Sequence, residues 1–303
     1  MTQIVSIHSY RGGAGKSTLA ANLAACLAQQ GQRVGIIDTD IPSPGLHLLF
    51  GLDDAQLTWT LNDYLWRRCS ITDIAYDVSP QLSPKPDTPP SVSQRQRGAL
   101  WVIPASSQVQ DITTFLSEGY DMQRLVTGIQ ELSQQFDLDY LFVDTHPGLN
   151  EETLLSINVS HTLLMVLQPD YQDYQGTRIL VDTAQQMAAQ KLFLVMNKVL
   201  PQDGHADDLG EYFSTPPQCS VTGHLPFCYE MMRLASKGLF CVRYPNHPLT
   251  QMLYRILKNC GLTARSPQQA PSSSPLEPRS TPTRATTDPP FGIGRRLSLG
   301  VLL

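Results

Sequence analysis

Near the N-terminus an apolar run, Ile4-Val5-Ser6-Ile7, leads into Tyr10-Arg11-Gly12-Gly13-Ala14-Gly15-Lys16-Ser17-Thr18, and Leu19-Ala20-Ala21-Asn22-Leu23-Ala24-Ala25 follows at once. A glycine-rich turn between a strand and a helix commits the chain to an α/β layer and makes the turn an anion cradle. The start of a helix carries unpaired N–H groups and partial positive charge. Glycines let the backbone come close to a ligand in conformations that a side chain forbids. The amides of Gly13, Gly15, Lys16, Ser17 and Thr18 line such a cradle, with Gly12 and Ala14 completing the loop. Lys16 is placed to reach the β- and γ-phosphates of a nucleotide, and the Ser17 hydroxyl to coordinate Mg²⁺. The full P-loop pattern asks for Gly, four residues, then Gly-Lys-Ser/Thr. Tyr10 stands where that first glycine belongs, and Arg11 directly precedes the glycine pair.

Further apolar, β-branched runs occur at Val34–Ile37, Leu100–Ile103, Tyr140–Val143, Thr162–Leu167, Leu192–Met196 and Val221–Leu225, and read as buried parallel strands. Helices are expected at Lys16–Gln29, Met122–Gln135, Glu151–Ile157, Gly176–Ala189 and Pro248–Cys260, the last starting where proline is tolerated. Alternating strands and helices give a single doubly wound, mostly parallel α/β sheet. Ser79–Gln96 holds Pro80, Pro84, Pro86, Pro89 and Pro90, a density that excludes regular structure and marks an exposed excursion. The folded domain is expected to span 1–263. Beyond it, 264–303 is rich in Pro, Ser and Thr and too poor in large apolar residues to offset the entropy of folding, so a disordered tail is expected.

Two more motifs lie at strand ends. Val34-Gly35-Ile36-Ile37 runs into Asp38-Thr39-Asp40, which puts two carboxylates at the carboxyl end of a parallel strand, where ligands bind in open α/β sheets. Tyr140-Leu141-Phe142-Val143-Asp144 has the form of a Walker B strand, and Thr145-His146-Pro147-Gly148 follows as a turn. His146 is the one histidine inside a motif, although loop packing is its favoured role.

The Gly-Gly-x-Gly-Lys-Ser box with a basic residue before it resembles the deviant Walker A box of the MinD/ParA family of dimerising ATPases. The resemblance covers roughly Met1 to Gly261, with the motifs in the family's order. It implies ATP and Mg²⁺ as cofactors, slow and partner-stimulated hydrolysis, and a homodimer closing face to face on two nucleotides. It implies that Asp40 orients the attacking water, that Asp38 and Asp144 hold Mg²⁺ through water, and that Ile41–Gly45 and the Pro147-Gly148 turn act as switches. Asn197, after Leu192–Met196, resembles the family's adenine reader, and Pro226 the proline packed beside the base. No Asn-Lys-x-Asp guanine reader is present, since Leu200 stands two residues after Lys198. Arg11 replaces the signature lysine that reaches the partner's nucleotide, and retains that role in trans on this reading.

The net charge of −5 disfavours a surface that coats nucleic acid. The tail carries Arg265, Arg279, Arg284, Arg295 and Arg296 against Glu277 and Asp288, so it is basic while the domain is acidic. Residues 291–303 pair Arg295 and Arg296 with apolar neighbours and superficially resemble a membrane-targeting end, which Gly292, Gly294 and Gly300 weaken. No apolar run reaches the ~18 residues of a membrane span, and no signal peptide is apparent, so a cytoplasmic protein, peripheral to a membrane at most, is expected. The six cysteines form no C-x-x-C pair and read as buried thiols. No tyrosine follows Tyr254 and no cysteine follows Cys260, which disfavours the tyrosine-kinase and metal-cluster branches of such folds. The leading expectation is a dimerisation switch that positions or partitions a cellular cargo with an unidentified protein partner. The alternative is a nucleotide-sensing regulator that hydrolyses little.

Overall fold

The computed structural model describes residues 1–82, 98–187, 191–200 and 219–263. Met1–Arg265 make one compact unit, and the tail beyond it lies outside the described residues. In chain order the elements are β1 (Gln3–His8), α1 (Lys16–Gln29), β2 (Arg33–Asp38), α2 (Leu46–Leu49), α3 (Leu61–Leu65), β3 (Tyr76–Asp77), β4 (Ala99–Ile103), α4 (Val109–Glu118) and α5 (Met122–Gln135). There follow β5 (Tyr140–Asp144), α6 (Glu151–Val159), β6 (Thr162–Leu167), α7 (Tyr171–Gln186), β7 (Leu192–Val199), β8 (Cys219–Pro226), α8 (Tyr229–Leu234), α9 (Phe240–Arg243) and α10 (Pro248–Asn259). The eight strands form one sheet in the order β3-β4-β2-β5-β1-β6-β7-β8. All neighbours are parallel except the short β3, which pairs antiparallel with β4. The doubly wound fold read from the alternation is therefore the one observed.

Register brings the motifs together. Asp144 pairs with Ile7 on one side and Asp38 on the other, so the carboxyl ends of β1, β2 and β5 open on one edge. Below that edge α1 is buried on nearly every side, from Leu19 to Ala28. Its alanines let it lie close to the sheet and to α10, and Leu23 and Leu27, fully buried, contribute about 2 kcal/mol each. Because α1 cannot shift without opening this core, the phosphate loop at its N-terminus is rigidly held.

Local chemistry sets the helix starts. Asp121, Asn150, Asp170 and His247 accept backbone N–H bonds at the N-caps of α5, α6, α7 and α10. The Asp170 cap starts α7 at Tyr171, five residues before the expected Gly176, and the described helix ends at Gln186. The expectation of no regular structure across Ser79–Gln96 fails at its start. Ser79–Leu82 form a short 3-10 turn, tied to β4 by the Leu100 N–H donating to Ser79 Oγ at 2.9 Å. The remainder of that stretch lies outside the described residues.

Candidate nucleotide-binding site

The loop Gly12–Thr18 wraps the N-terminus of α1, with Gly13 and Gly15 at φ +81° and +93°, where a side chain would strain the backbone. At Gly15 a Cβ would also lie 2.4 Å from Asn197 Nδ2. Lys16 is only 6% exposed, and its ammonium lies 3.2 Å from Asp144 Oδ1 and 3.5 Å from Asp40 Oδ2. Burial alone would lower its pKa, but Asp144, Asp40 and Asp38 together hold it above the ordinary lysine value.

Asp38 is fully enclosed and accepts N–H bonds from Asp40 at 3.1 Å, Gly45 at 3.2 Å and Leu46 at 3.1 Å. Burial first, and the Asp144 charge second, push its carboxyl up to about 7. Asp144 is likewise raised by burial against the pull of Lys16, and the Ser17 hydroxyl hydrogen-bonds to it. Among the described residues Asp144 Oδ2 is buried with no hydrogen-bond partner. Three buried carboxylates around one ammonium leave surplus negative charge and a free hard oxygen donor. That donor set, with the Ser17 hydroxyl beside it, fits Mg²⁺. Asp40 completes the group, with Oδ1 2.6 Å from His146 Nδ1.

Sequence reasoning missed His8, the last residue of β1. It is buried and hydrogen-bonds to Thr145 Oγ1 and to the Gly148 carbonyl, at 2.8 Å, so it fastens the turn after Asp144 from below. Burial, reinforced by the Lys16 charge, pushes its pKa down to about 3. The unfolded chain takes up this proton below about pH 6.5 and the folded protein does not, so stability falls as pH drops through that window. His8→Gln keeps a donor for Gly148 and removes the titration. At about pH 5 the wild type should have lost about 2 kcal/mol more than the variant relative to pH 7.5. Parallel melting curves across that range would show that His8 charges freely in the folded protein.

On the other flank, Asn197 Nδ2 donates to the Ala14 carbonyl at 2.8 Å, and Lys198, at φ +61°, donates to the Gly13 carbonyl at 2.6 Å. Asn197 and Pro226 share a largely apolar hollow with Thr18, Phe227, Met231 and Leu253. It opens beside the phosphate loop, where a purine attached to phosphates on that loop would sit. Arg11 points the other way. Its guanidinium meets Asp170 Oδ1 at 3.0 Å, both side chains being about half exposed. Tyr10 lies over Gly176 of α7, where a Cβ would come within 1.9 Å of the ring.

Cys228, Glu230 and His247 place one ligand atom each within 4.8 Å of one another, a grouping sequence spacing does not reveal. His247 Nδ1 accepts from the Leu249 N–H, which leaves the ring proton on Nε2, the atom facing Glu230 at 3.9 Å. The ring's lone pair is therefore turned away from the group.

The family profile for an AAA domain (AAA_31) matches residues 2–197. An uncharacterized ATP-binding protein of Methanocaldococcus jannaschii is 26% identical over 258 residues, 84% of this chain and 86% of that protein. The flagellum site-determining protein YlxH of Helicobacter pylori is 26% identical over 213 residues, 68% of this chain and 61% of that one. An iron-sulfur cluster carrier protein of Pseudomonas fragi is 28% identical over 266 residues, 84% and 83% of the two chains. In fold, the septum site-determining protein MinD of Pyrococcus horikoshii, solved with Mg-ADP, superposes with a TM-score of 0.66 at 19% identity, covering 84% of this chain and 94% of that one. The profile runs from the first strand through the phosphate loop and both aspartate-bearing strands to Asn197, and the chain belongs to the MinD/ParA family of P-loop ATPases.

Proposed function

We propose that the protein is an ATP-driven dimerisation switch that positions or partitions a cellular cargo. The observation that carries this reading is the buried Lys16 set among Asp38, Asp40 and Asp144 at the edge where the phosphate loop opens. Phosphoryl transfer needs a positioned nucleophile and charge neutralisation rather than covalent help from the protein. Lys16 and the loop amides bind the phosphates, and Asp40 orients the attacking water. Asp144, Asp38 and the Ser17 hydroxyl would hold Mg²⁺, which would supply charge neutralisation for the phosphate oxygens. Asn197 and Pro226 receive adenine in the apolar hollow. The Asp38 carboxylate also accepts from Gly45 and Leu46, so events at the phosphates reach the loop before α2 directly. The site-determining role named for YlxH supports positioning as the task, and hydrolysis is expected to be slow until a protein partner engages.

The iron-sulfur carrier among the relatives raises a second role, against which the thiols argue. Among the described residues no group of three or more candidate metal ligands holds two cysteines, since Cys228 is the one thiol in the group with Glu230 and His247. One observation favours the nucleotide-sensing alternative, in which little ATP is hydrolysed. Asp40 has both oxygens engaged, by His146 and by Lys16.

Asp40→Ala separates the two. In the switch it should bind ATP within about threefold of wild type, lose hydrolysis by about 100-fold or more, and accumulate as a dimer in light scattering with ATP. A mass independent of nucleotide in both proteins would sink the switch.

A further inference from the structure

The two contacts of Asp40 differ in kind. Lys16, on Oδ2 at 3.5 Å, is shared with Asp144 and is the group that incoming phosphates recruit. His146, on Oδ1 at 2.6 Å, comes from the turn after β5. An ionised carboxylate only accepts, so Nδ1 carries the proton and donates a charge-assisted bond. The turn that carries this ring is fastened on both sides of it. The Gly148 carbonyl only accepts, so His8 carries its proton on Nε2 and its Nδ1 accepts from the Thr145 hydroxyl, while the Thr145 N–H donates to the Ile7 carbonyl at 3.3 Å and the Gly148 N–H to the Ser9 carbonyl at 3.0 Å. The turn fastened in this way carries the ring against the carboxylate assigned to the water.

We infer that His146 is a positioning residue for hydrolysis, whose Nδ1–H fixes Oδ1 of Asp40 and leaves Oδ2 to orient the attacking water once Lys16 turns to the phosphates. The inference rests on the hydrolytic reading of Asp40 given above. In the step itself the water oxygen bonds the γ-phosphorus while the bond to the β,γ-bridging oxygen breaks. ADP leaves with that electron pair, and the water proton ends on the released phosphate. Asp40 Oδ2 accepts a hydrogen bond from the water throughout, and His146 transfers no proton.

The test compares His146→Ala, His146→Asn and His146→Gln with Asp40→Asn. Single-turnover ATP hydrolysis, affinity for a non-hydrolysable ATP analogue, melting temperature and the lifetime of the ATP-bound dimer are measured for each. An asparagine amide reproduces the position of Nδ1, whereas a glutamine amide reaches that of Nε2. His146→Asn should therefore hydrolyse within about threefold of wild type, whereas His146→Ala and His146→Gln slow by about 100-fold. Analogue affinity should stay within about threefold in all of them, and the dimers of the slow variants should live longer. Adding His146→Ala to Asp40→Asn should slow it no further, because both act on one carboxylate. A fast His146→Ala beside a slow Asp40→Asn overturns the inference and leaves the hydrolytic reading standing. A fast Asp40→Asn overturns that reading and the inference with it. Equal losses in the Asn and Gln variants, or a rate loss matched by lost affinity, also overturn the positioning role. Should the alanine variant fail to fold, the Asn–Gln contrast decides alone.

Discussion

Lys16→Ala should abolish measurable ATP binding, lowering affinity by more than about 100-fold, and should destabilise the nucleotide-free protein by about 3–5 kcal/mol. Both effects have one origin. Lys16 is the ammonium among three carboxylates that are nearly or wholly buried, and it bonds two of them directly. Deleting one member of a buried ion pair leaves the other charged and desolvated, which costs far more than the intact pair contributes. Asp38 and Asp144 already have raised pKa values from burial, so without Lys16 they move further up. The loss of stability should therefore shrink as pH falls and the carboxyls take up protons. Chemical denaturation at about pH 8 and pH 5.5, with calorimetric titration of ATP, measures both effects. Wild-type stability in the variant at pH 8 would mean that Lys16 is not the counter-ion of this cluster.

This cluster marks how far the sequence could be read. A strand, a glycine-rich turn and an alanine-rich helix identify the phosphate loop because each signal is local, and the parallel sheet follows from β-branched runs separated by helical stretches. Asp38 and Asp144 each stand at the end of such a run, and the rule that parallel strands present their carboxyl ends on one edge places both there, whereas their direct pairing comes from the strand order that sets β2 beside β5. His8 had no such marker, since its partners lie 137 and 140 residues away in the chain. The His146 contact to Asp40 spans 106 residues and depends on the depth to which a turn folds back over the sheet edge. The short α2, α3 and α9 hold too few turns for any periodicity. In α4, Val109, Ile112, Phe115 and Leu116 recur at helical spacing, so the signal for this helix was present in the sequence, although only Phe115 is buried. Asp170 is an ordinary helix cap in sequence, and only the fold places it against Arg11.

Arg11→Ala tests whether the departure from the family box is functional. In the structure Arg11 lies against Asp170 of its own chain, with both side chains near half exposure. Such a surface pair is worth about 0–1 kcal/mol, so Arg11 is released at little cost and its removal should leave the melting temperature nearly unchanged. Asp170 loses only this partner, because its Oδ1 also accepts from Gln172 and Asp173 at the start of α7. Lys16 and the loop amides remain, so ATP should bind within about threefold of wild type. Hydrolysis by the dimer, however, should fall by about 1,000-fold, the scale expected for a guanidinium supplied to a phosphoryl-transfer site in trans. Arginine suits that task because its planar fork binds phosphate oxygens through two parallel N–H bonds and never deprotonates. Mixing decides the direction of reach. An Arg11→Ala protomer keeps an intact Asp40, and an Asp40→Ala protomer keeps an intact Arg11. If the arginine acts across the interface, mixed dimers contain one complete site, and hydrolysis returns on combining two inactive proteins. If it acts within its own chain, no site in the mixture is complete. Mixed dimers that form with ATP and stay inactive would confine Arg11 to its own protomer, where Asp170 already holds it.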